Sequence, residues 1–262
     1  MSNFSEILPA FIENPIAHRG FHDCQGLKSF GCGPENSRES INQAITLGFG
    51  IEVDVRFSQD YVPIVIHDNN LMRLCGLNID VSSTRFGDLL IAHLKNGETI
   101  SSLEEVLFLV QGKVPLLLEI KSREKDQNIR MMTKTICEVI KSYNGPLALM
   151  SFAWGLITDL EIQKCNISRG LISQFFCEDK ELLVSEHERL GIKEADLINF
   201  GISFISHECT NLSKELYERN IKANRKVLTW TIYSKEMADK VKPMCDNITF
   251  EGFIPQKHKG EY

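Results

Sequence analysis

The chain has no Cys-x-x-Cys pair, no Gly-x-Gly-x-x-Gly turn and no Gly-x-x-x-x-Gly-Lys-Ser/Thr loop. It also lacks an uninterrupted apolar run approaching the ~20 residues that cross a bilayer. These gaps exclude, in turn, zinc ribbons and thioredoxin-like chemistry, dinucleotide or P-loop phosphate turns, and a helical membrane span. Positive charge is scarce too: 29 Lys and Arg against 35 Asp and Glu leave a formal net charge of −6. Nucleic-acid binding and docking on anionic lipid both call for clustered cations, so neither a nucleic acid nor a stable membrane association is expected. The eight cysteines are too sparse for a disulfide scaffold and read as free thiols of a reducing compartment. Residues 1–15 have neither the basic start nor the apolar centre of an export signal, being broken by Asn3, Ser5, Glu6 and Glu13. A cytoplasmic location is therefore expected.

What is present is a globular composition, 43% hydrophobic and 24% charged over 262 residues, enough to bury a sizeable core. Short apolar, β-branched runs predict strands at 16–18, 50–55, 63–67, 115–120, 147–152, 170–172, 202–205, 227–233 and 247–251. Amphipathic stretches at 37–47, 102–110, 128–143, 212–220 and 234–241 separate many of them. Strands alternating with helices specify βαβ units and a parallel sheet. That many units in one chain of this length fit a (β/α)8 TIM barrel better than an open sheet. Residues 68–112 break the rhythm, with polar stretches at 82–88 and 95–98, and read as a small insertion over one mouth of a barrel formed by residues 1–262.

The chemistry concentrates at strand ends. In Ile51-Glu52-Val53-Asp54-Val55, alternation puts Glu52 and Asp54 on one face and the aliphatic residues on the other. In a barrel the aliphatic face meets the helices, so the carboxylates point inward, near the end where barrel active sites lie. Two inward carboxylates repel unless a cation neutralises them, and a hard divalent ion, Mg2+ or Ca2+, suits oxygen ligands. Glu119 ends the run Leu116-Leu117-Leu118 and offers a third carboxylate, with Lys121 on the same face for a phosphate oxygen. A plain buried ion pair between Glu119 and Lys121 is the other reading of that segment. His18 and His67 also end strands, and imidazoles that titrate near neutrality suit general acid and base roles. Arg19 offers a planar fork for phosphate. Glu35, in Pro34-Glu35-Asn36-Ser37, reads either as part of a helix start or as a carboxylate behind the metal ligands. The other histidines (His22, His93, His187, His207 and His258) read as structural or solvated, with His22 set apart by its place in the loop above the mouth. Trp230 reads equally as pocket wall or core. Glu251 ends the last strand and is not counted in the site.

His18-Arg19-Gly20, Pro34-Glu35-Asn36-Ser37, Glu52-Val53-Asp54-Val55, His67-Asp68 and Glu119-Ile120-Lys121 occur in one order along residues 15–121. Together they resemble the glycerophosphodiester phosphodiesterase family. The resemblance implies a (β/α)8 barrel with a small insertion after the second strand and one divalent ion held by Glu52, Asp54 and Glu119. It implies His18 and His67 as the acid–base pair and Arg19 and Lys121 on the phosphate. The implied substrate is a small glycerophosphodiester, cleaved to sn-glycerol 3-phosphate and an alcohol. The chain departs from the family at Cys75-Gly76, often Thr-Gly; at Trp230-Thr231-Ile232-Tyr233, often Trp-Thr-Val-Asn; and at Glu251, often Asp. These departures touch pocket shape and leave the metal and histidine set intact. Two alternatives stand beside this reading: a related barrel acting on lysophospholipid or sphingolipid head groups, and a non-catalytic barrel that only binds phosphorylated ligands. The pattern does not specify an oligomeric state.

Overall fold

A computed structural model of the chain describes residues 9–22, 32–122, 128–174 and 191–256. Cys24, His187 and His258 lie outside the described residues. Each predicted strand is present. The first two are β1 (Ile16–Ala17) and β2 (Gly50–Phe57), followed by the short β3 (Pro63–Val65) and then β4 (Leu116–Ile120). The rest are β5 (Leu147–Ser151), β6 (Ser168–Ser173), β7 (Ile202–Glu208), β8 (Lys226–Ile232) and β9 (Asn247–Phe250). All but β3 are parallel, in the order β1-β9-β8-β7-β6-β5-β4-β2, and pairing of β1 with β2 closes the ring. The chain is a (β/α)8 barrel. β3 is outside the ring, antiparallel to the far end of β2 through Val55 and Val65.

Side-chain alternation sorts each strand into two environments. Ile51, Val53 and Val55 of β2 and Leu116, Leu118 and Ile120 of β4 join the large core between barrel and helices. Ile16, Leu117, Ala148, Met150, Phe204 and Leu228 fill the barrel interior instead. Gly170 makes room there, since a Cβ would fall 2.2 Å from the Phe204 ring. Helix α1 (Ala10–Glu13) closes the N-terminal mouth by inserting fully buried Phe11. Asn247 ties that plug to β9 by donating to the carbonyls of Phe11 and Asn14.

Helix α2 (Arg38–Leu47) starts at Ser37, whose hydroxyl accepts from Ser40 N, and stops at Gly48 with φ 66°. Two short helices follow β3: α3 (Met72–Cys75) and α4 (Phe86–Leu89). Their segment has its own small core of Ile64, Ile66, Leu71, Val81, Leu89 and Ile100. No single period organises those apolar residues, which is why the sequence looks irregular there. Helix α5 (Leu103–Val110), opened by a Ser102–Glu105 capping box, rejoins the main core. One expectation about the cysteines is corrected: Cys32 is disulfide-bonded, while Cys75, Cys137, Cys165, Cys209 and Cys245 are free. Among the described residues no helix is long and apolar enough to cross a membrane.

Candidate active site

The register of β2 against β4 pairs Asp54 with Glu119 and Glu52 with Leu117. Glu52, Asp54 and Glu119 are all buried and each offers an oxygen within 4.8 Å of the others. Within that spacing and at an effective dielectric of ~20, each charged pair repels by at least about 3.5 kcal/mol. The protein supplies part of the compensation. Glu52 Oε2 accepts from the Arg19 amide at 2.9 Å, and Asp54 Oδ2 accepts from Asn36 Nδ2 at 2.8 Å. Arg19 Nε is 3.1 Å from Asp54 Oδ2, and Lys121 Nζ is 2.9 Å from Asp54 Oδ1 and in contact with Glu119.

This compensation is uneven. Burial raises the Asp54 pKa, but Lys121 and Arg19 reverse that and hold it well below the usual carboxylate range. Burial and then the neighbouring Asp54 push Glu52 up. Glu52 Oε1 is buried with no hydrogen-bond partner. Three converging carboxylates, one of them forced up and carrying an orphan oxygen, fit a hard divalent cation.

The turn after β1 positions two predicted residues at once. Arg19 and Gly20 both have positive φ, 54° and 79°. A Cβ at Gly20 would lie 2.5 Å from Ser40 Oγ, so glycine is required for α2 to pack this close. The Arg19 guanidinium donates to Glu35 at 2.9 Å. Arg73, at the top of the inserted segment, pairs with the same carboxylate at 2.6 and 2.8 Å. Its Nε donates to Asp68 at 2.6 Å. Asp68 in turn sits 2.7 Å from His67 Nδ1. An unbroken chain of ion pairs and hydrogen bonds thus links Arg19, Glu35, Arg73, Asp68 and His67.

His18 follows β1, the strand beside β2. Its Nδ1 is 2.6 Å from Glu251 Oε2, and its Nε2 is 4.0 Å from Glu52 Oε2. The two histidines differ in charge tendency. Burial lowers the pKa of His18, but Glu251 and Glu52 more than reverse it, so the net shift is upward. For His67, burial dominates over Asp54 and Asp68, and the net shift is downward.

The structure therefore brings together His18, Arg19, Glu35, Glu52, Asp54, Glu119 and Lys121, with His67 joined to them through Asp68 and Arg73. Glu35 sits between two arginines and does not cap α2, a place taken by Ser37. Four residues beyond the expected set also meet the site: Asn36, which the sequence offers only as a member of the Pro34–Ser37 motif; Arg73; Glu251; and His22. Asn36 carried one usable signal, since it lies inside a motif that already supplies Glu35. A cleft of about 390 Å³ opens beside Glu119 and Lys121, lined also by Arg56, Tyr61, Asn69 and Phe152.

Comparison with known proteins follows the same lines. The model of the glycerophosphoryl diester phosphodiesterase family matches residues 18–247. A Mycobacterium tuberculosis protein described as a probable glycerophosphodiester phosphodiesterase is 38% identical over 93 residues, covering 35% of this chain and 33% of that protein. A Mus musculus lysophospholipase D is 24% identical over 187 residues, covering 66% of this chain and 54% of its own length. The chain thus spans between a third and about half of these relatives. Among solved structures, an Oleispira antarctica phosphodiesterase in complex with the product sn-glycerol-3-phosphate superposes with a TM-score of 0.76 at 22% identity, over 93% of this chain and 94% of that one. A Silicibacter pomeroyi protein of the same description as the family superposes at 0.74 and 20% identity, over 90% and 89%. At these identities the structural likeness is one of fold.

Proposed function

The chain belongs to the glycerophosphoryl diester phosphodiesterase family, and from that premise we propose that it hydrolyses small glycerophosphodiesters to sn-glycerol 3-phosphate and an alcohol, with a divalent ion and two histidines. One observation carries the reading: a buried trio of carboxylates flanked by two cations and by two histidines, each with Nδ1 against a carboxylate. Glu52, Asp54 and Glu119 would hold the ion, Mg2+ or Ca2+. Bound there, it would supply Lewis-acid polarisation of a phosphoryl oxygen and offset the charge growing on phosphorus.

The side chains do the rest. Arg19 and Lys121 bind and orient the phosphate oxygens, and they stabilise charge where it develops. Glu35 holds the Arg19 fork in place. One histidine accepts the proton of the attacking hydroxyl, either water or the substrate's own glycerol 2-hydroxyl. The other gives a proton to the oxygen of the departing alcohol as its bond to phosphorus breaks. With the 2-hydroxyl as nucleophile the first product is a cyclic phosphate, which water then opens with the roles exchanged.

A second reading, removal of the head group from a lysophospholipid, draws support from the lysophospholipase D relatives and from exposed Met72, Leu90 and Ile91 on the inserted segment. The purely ligand-binding alternative would predict a lost carboxylate or histidine, and the chain keeps all of them. Purified protein offered glycerophosphocholine and lysophosphatidylcholine in parallel separates the readings. The expected result is sn-glycerol 3-phosphate from the first and little cleavage of the second. Cleavage of the lyso-lipid alone would transfer the site to the second reading, and cleavage of neither would leave the binding-only barrel. The proposal includes a cytoplasmic location, which the five free thiols among the described residues support and the Cys32 bridge opposes. A thiol count on protein isolated under alkylating conditions decides between them.

A further inference from the structure

Glu251 lies just past β9, and its backbone is fixed from two sides. Its amide donates to Ile232 O at 2.9 Å, and the preceding carbonyl, Phe250 O, accepts from His18 N at 2.9 Å. The β1–β9 register therefore sets Glu251 beside His18 although the two are 233 positions apart. Its carboxylate is bracketed by imidazoles: Oε2 is 2.6 Å from His18 Nδ1 and 3.7 Å from His22 Nε2. His22 is itself held, because Phe21 before it is buried against Phe49 and Phe250 and donates its amide to Ser40 O. The His22 side chain is only 10% exposed, and its Nε2 has no hydrogen-bond partner.

A neutral imidazole carries one ring proton, and the neighbour of one nitrogen decides which nitrogen has it. With a carboxylate at Nδ1, the proton resides on Nδ1 and the lone pair on Nε2. His18 Nε2 is also the atom turned toward Glu52. Asp68 imposes the same choice on His67. His18, His22 and Glu251 could instead hold a cation, since their ligand atoms lie within 4.8 Å of one another. The short contact argues against that. Ligands ~2.1 Å from a tetrahedral ion stand about 3.4 Å apart, whereas His18 Nδ1 and Glu251 Oε2 approach to 2.6 Å, a hydrogen-bond separation.

We propose that Glu251 is a positioning residue: it fixes His18 as the Nδ1–H tautomer and aims Nε2 at the reacting phosphate. The inference rests on the acid–base reading of His18 given above.

The test pairs kinetics with 15N-histidine NMR on the full chain and on Glu251→Gln and Glu251→Asp. Gln offers an N–H as well as a carbonyl and no longer dictates the tautomer. Glu251→Gln is expected to lower kcat about 10- to 100-fold with KM within about threefold. It should also remove the strongly hydrogen-bonded Nδ1–H signal of His18. Asp is expected to restore part of both, which guards against a trivial folding defect. Unchanged kcat with an unchanged His18 signal would overturn the proposal. So would a second equivalent of Zn2+, bound by the wild type and lost in Glu251→Gln, because Glu251 would then be a ligand. If the wild type hydrolyses no diester, the acid–base reading falls, while the NMR comparison still decides whether Glu251 sets the His18 tautomer.

Discussion

The two histidines at the barrel mouth are held alike at Nδ1 and backed by opposite means. His18 belongs to the closed ring. Its side chain is 13% exposed, and its partner Glu251 lies just past the neighbouring strand, with His22 on its other side. His67 follows β3, outside the ring, with 32% exposure. Its partner Asp68 is gripped by Arg73, which is 49% exposed and reaches across to Glu35. One imidazole is set by burial within the barrel frame. The other is set by an ion-pair chain thrown from the inserted segment back to Arg19. The difference teaches that the segment after β3 does more than build its own small core: its arginine ties one half of the proposed acid–base pair to the group proposed to hold the phosphate.

The comparison can be broken most severely by removing either histidine. His18→Ala and His67→Ala are each expected to cost at least ~100-fold in kcat, measured as product release under saturating substrate. Retention of full activity by both would dissolve the pair. Arg73→Leu should act next most strongly, and on one side only. Glu35 and Asp68 would lose their shared partner, with an expected loss of about 10-fold in kcat/KM and faster amide hydrogen exchange over residues 68–81. The His18 NMR signals should stay in place. Arg73→Lys is expected to rescue little, since an ammonium cannot make the same forked contacts with two carboxylates.

A smaller effect sharpens the contrast through pH. Burial raises the Asp68 pKa, but Arg73 and His67 overcome it and hold the group at about 2, against ~3.9 for a free aspartate. A carboxyl whose folded pKa is depressed stabilises fully above its unfolded value and loses that contribution as pH falls through the folded one. The Tm advantage of the wild type over Arg73→Leu should therefore be constant near neutrality and shrink from roughly pH 4 toward pH 2. An advantage independent of pH over that range would mean that Arg73 stabilises through packing and not through charge.

Much of this was legible in the residues. The Ile51–Val55 alternation by itself places two acids inward, because a strand has a period of two and only one face of a barrel strand can be aliphatic toward helices. Glu119 and Lys121 were legible for the same reason. Arg73 was not: in a segment with no regular period, a half-exposed arginine is indistinguishable from any surface charge until folding sets Glu35 beside it. Glu251 is visible at the end of the last strand but not legible as a site residue, because its meaning comes from the β1–β9 pairing that closes the ring, and no local pattern encodes a contact across 233 positions. The strand Pro63–Val65 was found, but its antiparallel direction depends on the turn after β2 and not on its composition.

The most direct test is recovery of sn-glycerol 3-phosphate release from glycerophosphocholine after EDTA treatment, on adding Mg2+ or Ca2+, in the wild type and in Glu52→Gln. Loss with EDTA, recovery with metal in the wild type and no recovery in the variant are predicted. EDTA-resistant release, or full recovery in Glu52→Gln, would contradict a divalent ion held by the carboxylate trio.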